Sequence, residues 1–242
     1  MSTTLEHVWL GRVPYREAWG LQRRLAAARA RGEIGDLVLL VEHPPVFTMG
    51  RNGLPAHLLG GADHLVARGA EFVEVDRGGS VTFHGPGQLV AYPILSIAEV
   101  FPAAGDGALG DVIAYLRALE EALIATVGAY GVGASRRPPY TGIWVNHEKL
   151  AAIGVKLASG VTTHGVALNV STDLGWFAEV LPCGIADAGV ASMASLGVTP
   201  LPRVHEVGTS FAAALAGAIG RQPSRAGEAI RSVIAGAQPA PV

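Results

Sequence analysis

Between Gly142 and Val170, three strand-like segments (Gly142–Val145, Lys149–Val155 and Thr162–Val170) follow one another with no helical pattern between them. That clustering excludes the regular β–α–β alternation of a doubly wound parallel sheet. Upstream, His7–Leu10 alternates as a short strand, and Tyr15–Arg31 carries Ala18, Leu21, Leu25 and Ala28 at the spacing of an amphipathic helix ended by Gly32. Asp36–Glu42 is a continuous apolar run of strand length stopped by His43-Pro44-Pro45, and Val46–Met49 follows as another short strand. Glu71–Asp76 reads as a strand entering Arg77-Gly78-Gly79, and Gln88–Leu95 as one whose Pro93 implies an edge or a bulge. Leu109–Tyr130 repeats Val112, Leu116, Leu119, Leu123 and Val127 on one helical face; Val204–Ile219 and Gly227–Ala235 are further helices. The expectation is an α+β fold, a mixed or antiparallel sheet with helices packed on its faces.

The length of 242 residues and the absence of a long linker predict one domain over residues 1–235, with a Gly/Ala/Pro-rich tail at 236–242. Half the residues are hydrophobic and 16% are charged, so a large core is available without staples. A net charge of −2 does not suit a nucleic-acid binder. Arg136-Arg137 still offers a local basic site for an acidic partner. Mean hydropathy is +0.35, yet the longest uncharged stretch, Leu157–Thr172, is too short and too polar to span a bilayer. Residues 1–10 lack the pattern of an export signal, and a single cysteine rules out internal disulfides, so a reducing cytoplasm is expected.

Four segments carry candidate chemistry. In Arg77-Gly78-Gly79-Ser80-Val81-Thr82-Phe83-His84-Gly85-Pro86-Gly87-Gln88, two glycine clusters frame a short strand with Thr82 and His84 on one face. The stretch suits either a loop that lets backbone N–H groups approach a ligand or a plain hairpin. Lys149 opens the apolar run Leu150-Ala151-Ala152-Ile153-Gly154; it is either a desolvated proton exchanger or a solvated strand end, with Lys156 as its rival. An unbroken strand would point these two lysines, seven residues apart, to opposite faces. In Thr163-His164-Gly165-Val166-Ala167-Leu168-Asn169, small residues leave room for an aliphatic chain or for another strand. Cys183, between Pro182 and Gly184, is either a small buried hydrophobe or a turn-borne nucleophile. Phosphate-loop, dinucleotide-fingerprint, hydrolase-elbow and zinc-ligand spacings are absent.

In this order and at these separations, RGGSVTFHGPGQ, KLAAIG, THGVALNV and LPCG resemble the lipoyl(octanoyl) transferase family, and the similarity runs from about Trp9 to Leu196. The resemblance implies a fold like that of lipoate–protein and biotin–protein ligases. It implies ping-pong acyl transfer in which Cys183 takes an octanoyl group from acyl carrier protein as a thioester. Lys149 would favour the thiolate and relay protons. The acceptors would be lysines on the lipoyl domains of 2-oxoacid dehydrogenase E2 subunits and on the glycine cleavage H protein. The implied acyl pocket comprises Arg77, Gly78, Gly79, Ser80, Val81, Thr82, Phe83, His84, Ala152, Ile153, Gly154, Gly165, Val166 and Ala167. Neither cofactor nor metal is implied, and a monomer is expected. A thioester is already activated and cysteine is its matched nucleophile, so ATP has no role. Backbone N–H groups of Arg77–His84 or Gly165–Ala167 would supply the oxyanion donors. Ala152, Gly154, Gly165 and Ala167 are expected to set the pocket floor. An ATP-dependent lipoate–protein ligase, a lipoyl-domain amidotransferase and a non-catalytic carrier-binding module are the alternatives. The connection Leu95–Leu109 is longer than a tight turn needs.

Overall fold

The computed structural model describes residues 3–103, 110–180 and 189–236. In chain order the elements are β1 (Thr4–Arg12), α1 (Tyr15–Ala30), β2 (Leu37–Glu42), β3 (Val46–Met49), α2 (Gly61–Ala67), β4 (Glu71–Glu74), β5 (Val81–His84), β6 (Gln88–Ile94), α3 (Ile97–Val100) and α4 (Val112–Gly128). They continue with β7 (Ser135–Arg137), β8 (Tyr140–Val145), β9 (Glu148–Ala158), β10 (Val161–Asn169), β11 (Gly189–Val190), α5 (Val204–Ala218), β12 (Gln222–Arg225) and α6 (Glu228–Ala235).

Among the described residues, a nine-stranded mixed sheet runs β12-β1-β2-β6-β10-β9-β8-β7, with β11 added beside β9. Its centre, β2-β6-β10-β9-β8, is antiparallel, whereas β12 and β2 flank β1 in parallel. A second sheet of three strands, β4-β3-β5, stands apart. The continuous apolar run of β2 follows from burial on both faces. Val38 and Leu40 pack with α4 and α5 (Leu119, Leu123, Phe211, Leu215), while Leu37, Leu39 and Val41 pack with α1 (Ala18, Leu21, Leu25). Each such fully buried leucine stabilises the fold by roughly 1.5–3 kcal/mol.

Boundaries differ from the sequence reading where polar chemistry intervenes. The helix expected over Leu109–Tyr130 begins at Val112 because Asp111 caps it, its carboxylate accepting the Ala114 N–H at 2.9 Å. Leu109 itself lies outside the described residues, as does the tail beyond Gly236. Pro93 stands in a central strand, not at an edge. It pairs with Val38 on one side, and on the other the β6–β10 ladder stops at Ala91↔Val166, so the missing N–H falls where pairing lapses. Within the long connection after Leu95, α3 forms, and the Asp111 N–H reaches back to the Phe101 carbonyl at 2.8 Å.

Candidate functional site

A cavity opens on the α1 side of the large sheet, between β9 and β10 and the β5 segment of the small sheet. Its volume is about 120 Å³. Twelve of the expected pocket residues line it: Arg77, Gly79, Ser80, Val81, Thr82, His84, Ala152, Ile153, Gly154, Gly165, Val166 and Ala167. Two do not. Phe83 turns away into an aromatic cluster with Phe47 and Trp176, and Gly78 is held by its N–H to the Val155 carbonyl at 3.0 Å. Strand alternation explains Phe83: Thr82 and His84 face the cavity, so the residue between them faces the small sheet's own core.

The glycines serve the sheets as well as the cavity. A Cβ on Gly165 would lie 2.1 Å from the Ala91 carbonyl oxygen, and one on Gly154 would lie 3.1 Å from Arg77 and from the Gly78 carbonyl. Their small size lets β6 approach β10 and the glycine-rich loop approach β9. Of the four small residues expected at the pocket floor, Ala152 and Ala167 line the cavity with side chains of their own.

Lys149 lines the cavity, with its ammonium 4.8 Å from the centre of the buried Trp144 ring. The unbroken strand assumed for the two lysines does not occur. Pairing with β8 slips between Trp144↔Lys149 and Ile143↔Ala151, making Leu150 an extra residue. The bulge turns Lys149 onto the face that carries Ala152 and Gly154. Lys156 shares that side but is ion-paired with Asp76.

Cys183 belongs to Leu181–Ala188, outside the described residues. The chain on both sides of it is anchored at the site. Val180, three residues before Cys183, lines the cavity and bridges to Leu58. Gly189 and Val190 pair with Glu148 and Lys149, and the Ala191 N–H donates to the Lys149 carbonyl at 3.0 Å.

One wall holds polar residues with no sequence signal beyond ordinary core positions, Tyr15 and Tyr92, with His43 and Asp76 behind them, and Gln88, the last residue of the glycine-rich motif. Asn169, already marked by its motif, joins them. Their hydrogen bonds run in a fixed direction. The Ala191 carbonyl accepts from Asn169 Nδ2 at 3.0 Å, Asn169 Oδ1 accepts from Gln88 Nε2 at 2.9 Å, and Gln88 Oε1 accepts from His84 Nδ1 at 2.8 Å. His43 Nδ1 donates to the Val13 carbonyl at 2.6 Å, which leaves Nε2 to accept the Tyr92 hydroxyl at 2.7 Å. Burial pushes His43 down to about 4. Burial, with His43 nearby, pushes His84 down to about 3. Both are neutral near pH 7. His164 Nε2 donates to Asp76 Oδ1 at 2.9 Å and faces the Tyr15 hydroxyl at 3.4 Å through Nδ1. Burial holds His164 below the usual imidazole range, against the pull of Asp76. Burial alone would raise Asp76, but hydrogen bonds from Lys156 and His164 outweigh it and keep the carboxylate ionised. Among the described residues, no cluster of His, Cys, Asp and Glu could hold a metal ion.

The fold is shared with lipoate–protein and biotin–protein ligases. Three of the solved structures it resembles share the fold at low identity: a lipoate-protein ligase A bound with ATP (TM-score 0.75, 15% identity, 98% of this chain and 94% of that one), a lipoate protein ligase from Thermoplasma acidophilum with bound lipoic acid (0.69, 16%, 98% and 94%) and a biotin protein ligase from Aquifex aeolicus (0.50, 13%, 88% and 70%). Residues 14–216 match the family model for the lipoyl protein ligase A/B catalytic domain, and the chain belongs to that family. Within it, the chain is 50% identical over 202 residues to an octanoyltransferase of Solibacter usitatus, covering 84% of this chain and 87% of that protein. It is 49% identical over 204 residues to one of Chloroflexus aurantiacus, covering 83% and 87%.

Proposed function

We propose that Cys183 attacks the thioester of octanoyl-acyl carrier protein, holds the octanoyl group as a new thioester, and passes it to a lysine on a lipoyl domain. The chain is an acyltransferase that moves octanoyl groups in protein lipoylation. The single observation that carries the two-step reading is the placement of Lys149. It lines the cavity, and its strand pairs with the residues that follow the cysteine segment. In this reading residues 1–235 act as one catalytic domain and as a monomer. The acceptors are the lipoyl domains of 2-oxoacid dehydrogenase E2 subunits and the glycine cleavage H protein, and the setting is the cytoplasm.

Acylation breaks the carrier's C–S bond and forms a C–S bond to Cys183, and the proton goes to the departing carrier thiolate. The Lys149 ammonium favours the attacking thiolate by charge. In giving the carrier thiolate that proton, Lys149 is left as the neutral amine, which takes a proton from the acceptor lysine as its nitrogen forms the amide and the C–S bond to Cys183 breaks, restoring the thiolate beside the ammonium. Of the two backbone sources for oxyanion donors, Val166 and Ala167 spend theirs in ladders with β6 and β9. In the Arg77–His84 stretch the Gly78 N–H likewise donates to Val155 and Val81–His84 pair with β3, so this reading assigns the donors to the turn that precedes β5.

Comparing donors tests the proposal. Octanoylation of a lipoyl domain should proceed from octanoyl-acyl carrier protein without nucleotide, and should fail with octanoate plus ATP. Transfer from octanoate and ATP alone would instead make the chain a ligase.

A further inference from the structure

We infer that His164, pinned by Asp76 and Tyr15, is the end-stop that fixes the length of the acyl chain the cavity accepts; this rests on the proposed function, with the thioester at the Lys149 end. The argument begins with the backbone. On β10, Val166 and Leu168 face α4 and α5, and Thr162 lies on that side too, bonded to the Pro93 carbonyl. Simple alternation would send His164 there with them. Instead His164 has φ +55, a left-handed conformation uncommon for any residue but glycine, and its ring lies on the α1 side against Tyr15 and Trp19. Three contacts hold it there. Gln22 Oε1 accepts its backbone N–H at 2.7 Å, Asp76 accepts Nε2–H at 2.9 Å, and the Tyr15 hydroxyl meets Nδ1.

The distances agree. Asn169 marks the Lys149 end, since Ala191 is bonded to both residues. Asn169 lies five positions along β10 from His164, about 16 Å at ~3.3 Å per residue. An extended eight-carbon acyl chain spans roughly 9–10 Å with bonds of ~1.5 Å. The remaining 6–7 Å or so is taken up by the sulfur and by van der Waals contact with the ring. A twelve-carbon chain needs about 5 Å more, which the ring occupies. Behind the ring the protein is thin. The His164 side chain is 2% exposed, whereas that of Asp76, its hydrogen-bond partner, is 35% exposed. Trimming the ring joins the cavity to solvent and lets a longer tail pass.

His164→Gly is the informative variant, because glycine accepts the positive φ without strain. His164→Asn, also tolerated there, is its milder companion. Each protein is mixed with equimolar octanoyl-, decanoyl- and dodecanoyl-acyl carrier protein, and the adducts are counted by intact mass. The parent should take octanoyl; His164→Gly should raise the dodecanoyl-to-octanoyl ratio at least tenfold, and His164→Asn should first admit decanoyl. Folded variants whose ranking stays within twofold of the parent's would overturn the end-stop. A parent that takes no acyl group from any donor would instead sink the proposed function, leaving the two failures distinct.

Discussion

Lys149 and Lys156 sit on one strand and one side of the sheet, yet only Lys149 meets the cavity; Lys156 is committed to Asp76. Composition could not separate them, because the difference lies in a one-residue bulge at Leu150 that no side-chain pattern announces. An ammonium within about 4–6 Å of a thiol lowers its pKa by roughly 1–3 units. Lys149→Ala should therefore shift the pH profile of iodoacetamide alkylation of Cys183 upward by about one unit or more, while Lys156→Ala leaves it in place. An unchanged profile in Lys149→Ala, with the shift appearing in Lys156→Ala, would reverse the assignment.

At the scale of elements, the helices and the buried strands were readable because their apolar periodicity is strong: α1, β2, α4 and α5 lie within a few residues of their expected bounds. The edge strands β7, β11 and β12 were not, since Ser135–Arg137, Gly189–Val190 and Gln222–Arg225 have neither alternation nor β-branched runs and are ordered by their partners. The candidate site divides in the same way. Twelve lining residues were marked by the family resemblance that the glycine-rich and small-residue motifs carry; the local pattern alone left a plain hairpin and a packed strand open. Tyr15 and Tyr92 come from elements whose residues look like ordinary core, and only the crossing of α1 and β6 over the cavity gives them a role. The small residues also carried a double meaning. Gly165 reads as room for a ligand, but the space beside it is filled by the Ala91 carbonyl.

For the whole molecule, neutral buried histidines couple the cavity wall to folding. His43 and His84 ionise at about 4 and about 3 in the native state, against about 6.5 when the chain is unfolded. Between pH 6.5 and 4.5 the unfolded chain binds protons that the native state refuses, so stability falls as pH falls. The slope is on the order of 1 kcal/mol per pH unit for each of the two histidines. Asp76 acts in the same direction at lower pH: its depressed pKa stabilises the fold above the unfolded value near 3.8, and that contribution is lost as pH falls below this window. Urea midpoints measured across pH 4.5–6.5 should therefore drop steadily toward the acid end. A flat profile would mean that the wall histidines are protonated or solvated in the native protein.

The account turns on a covalent acyl group at the one thiol in the chain. Intact-mass spectrometry after brief mixing with octanoyl-acyl carrier protein reads that directly. The protein should gain one octanoyl unit, lose it to hydroxylamine, and discharge it onto an added lipoyl domain, and Cys183→Ala should gain nothing. A Cys183→Ala protein that octanoylates the lipoyl domain at the parent rate would contradict the two-step mechanism outright.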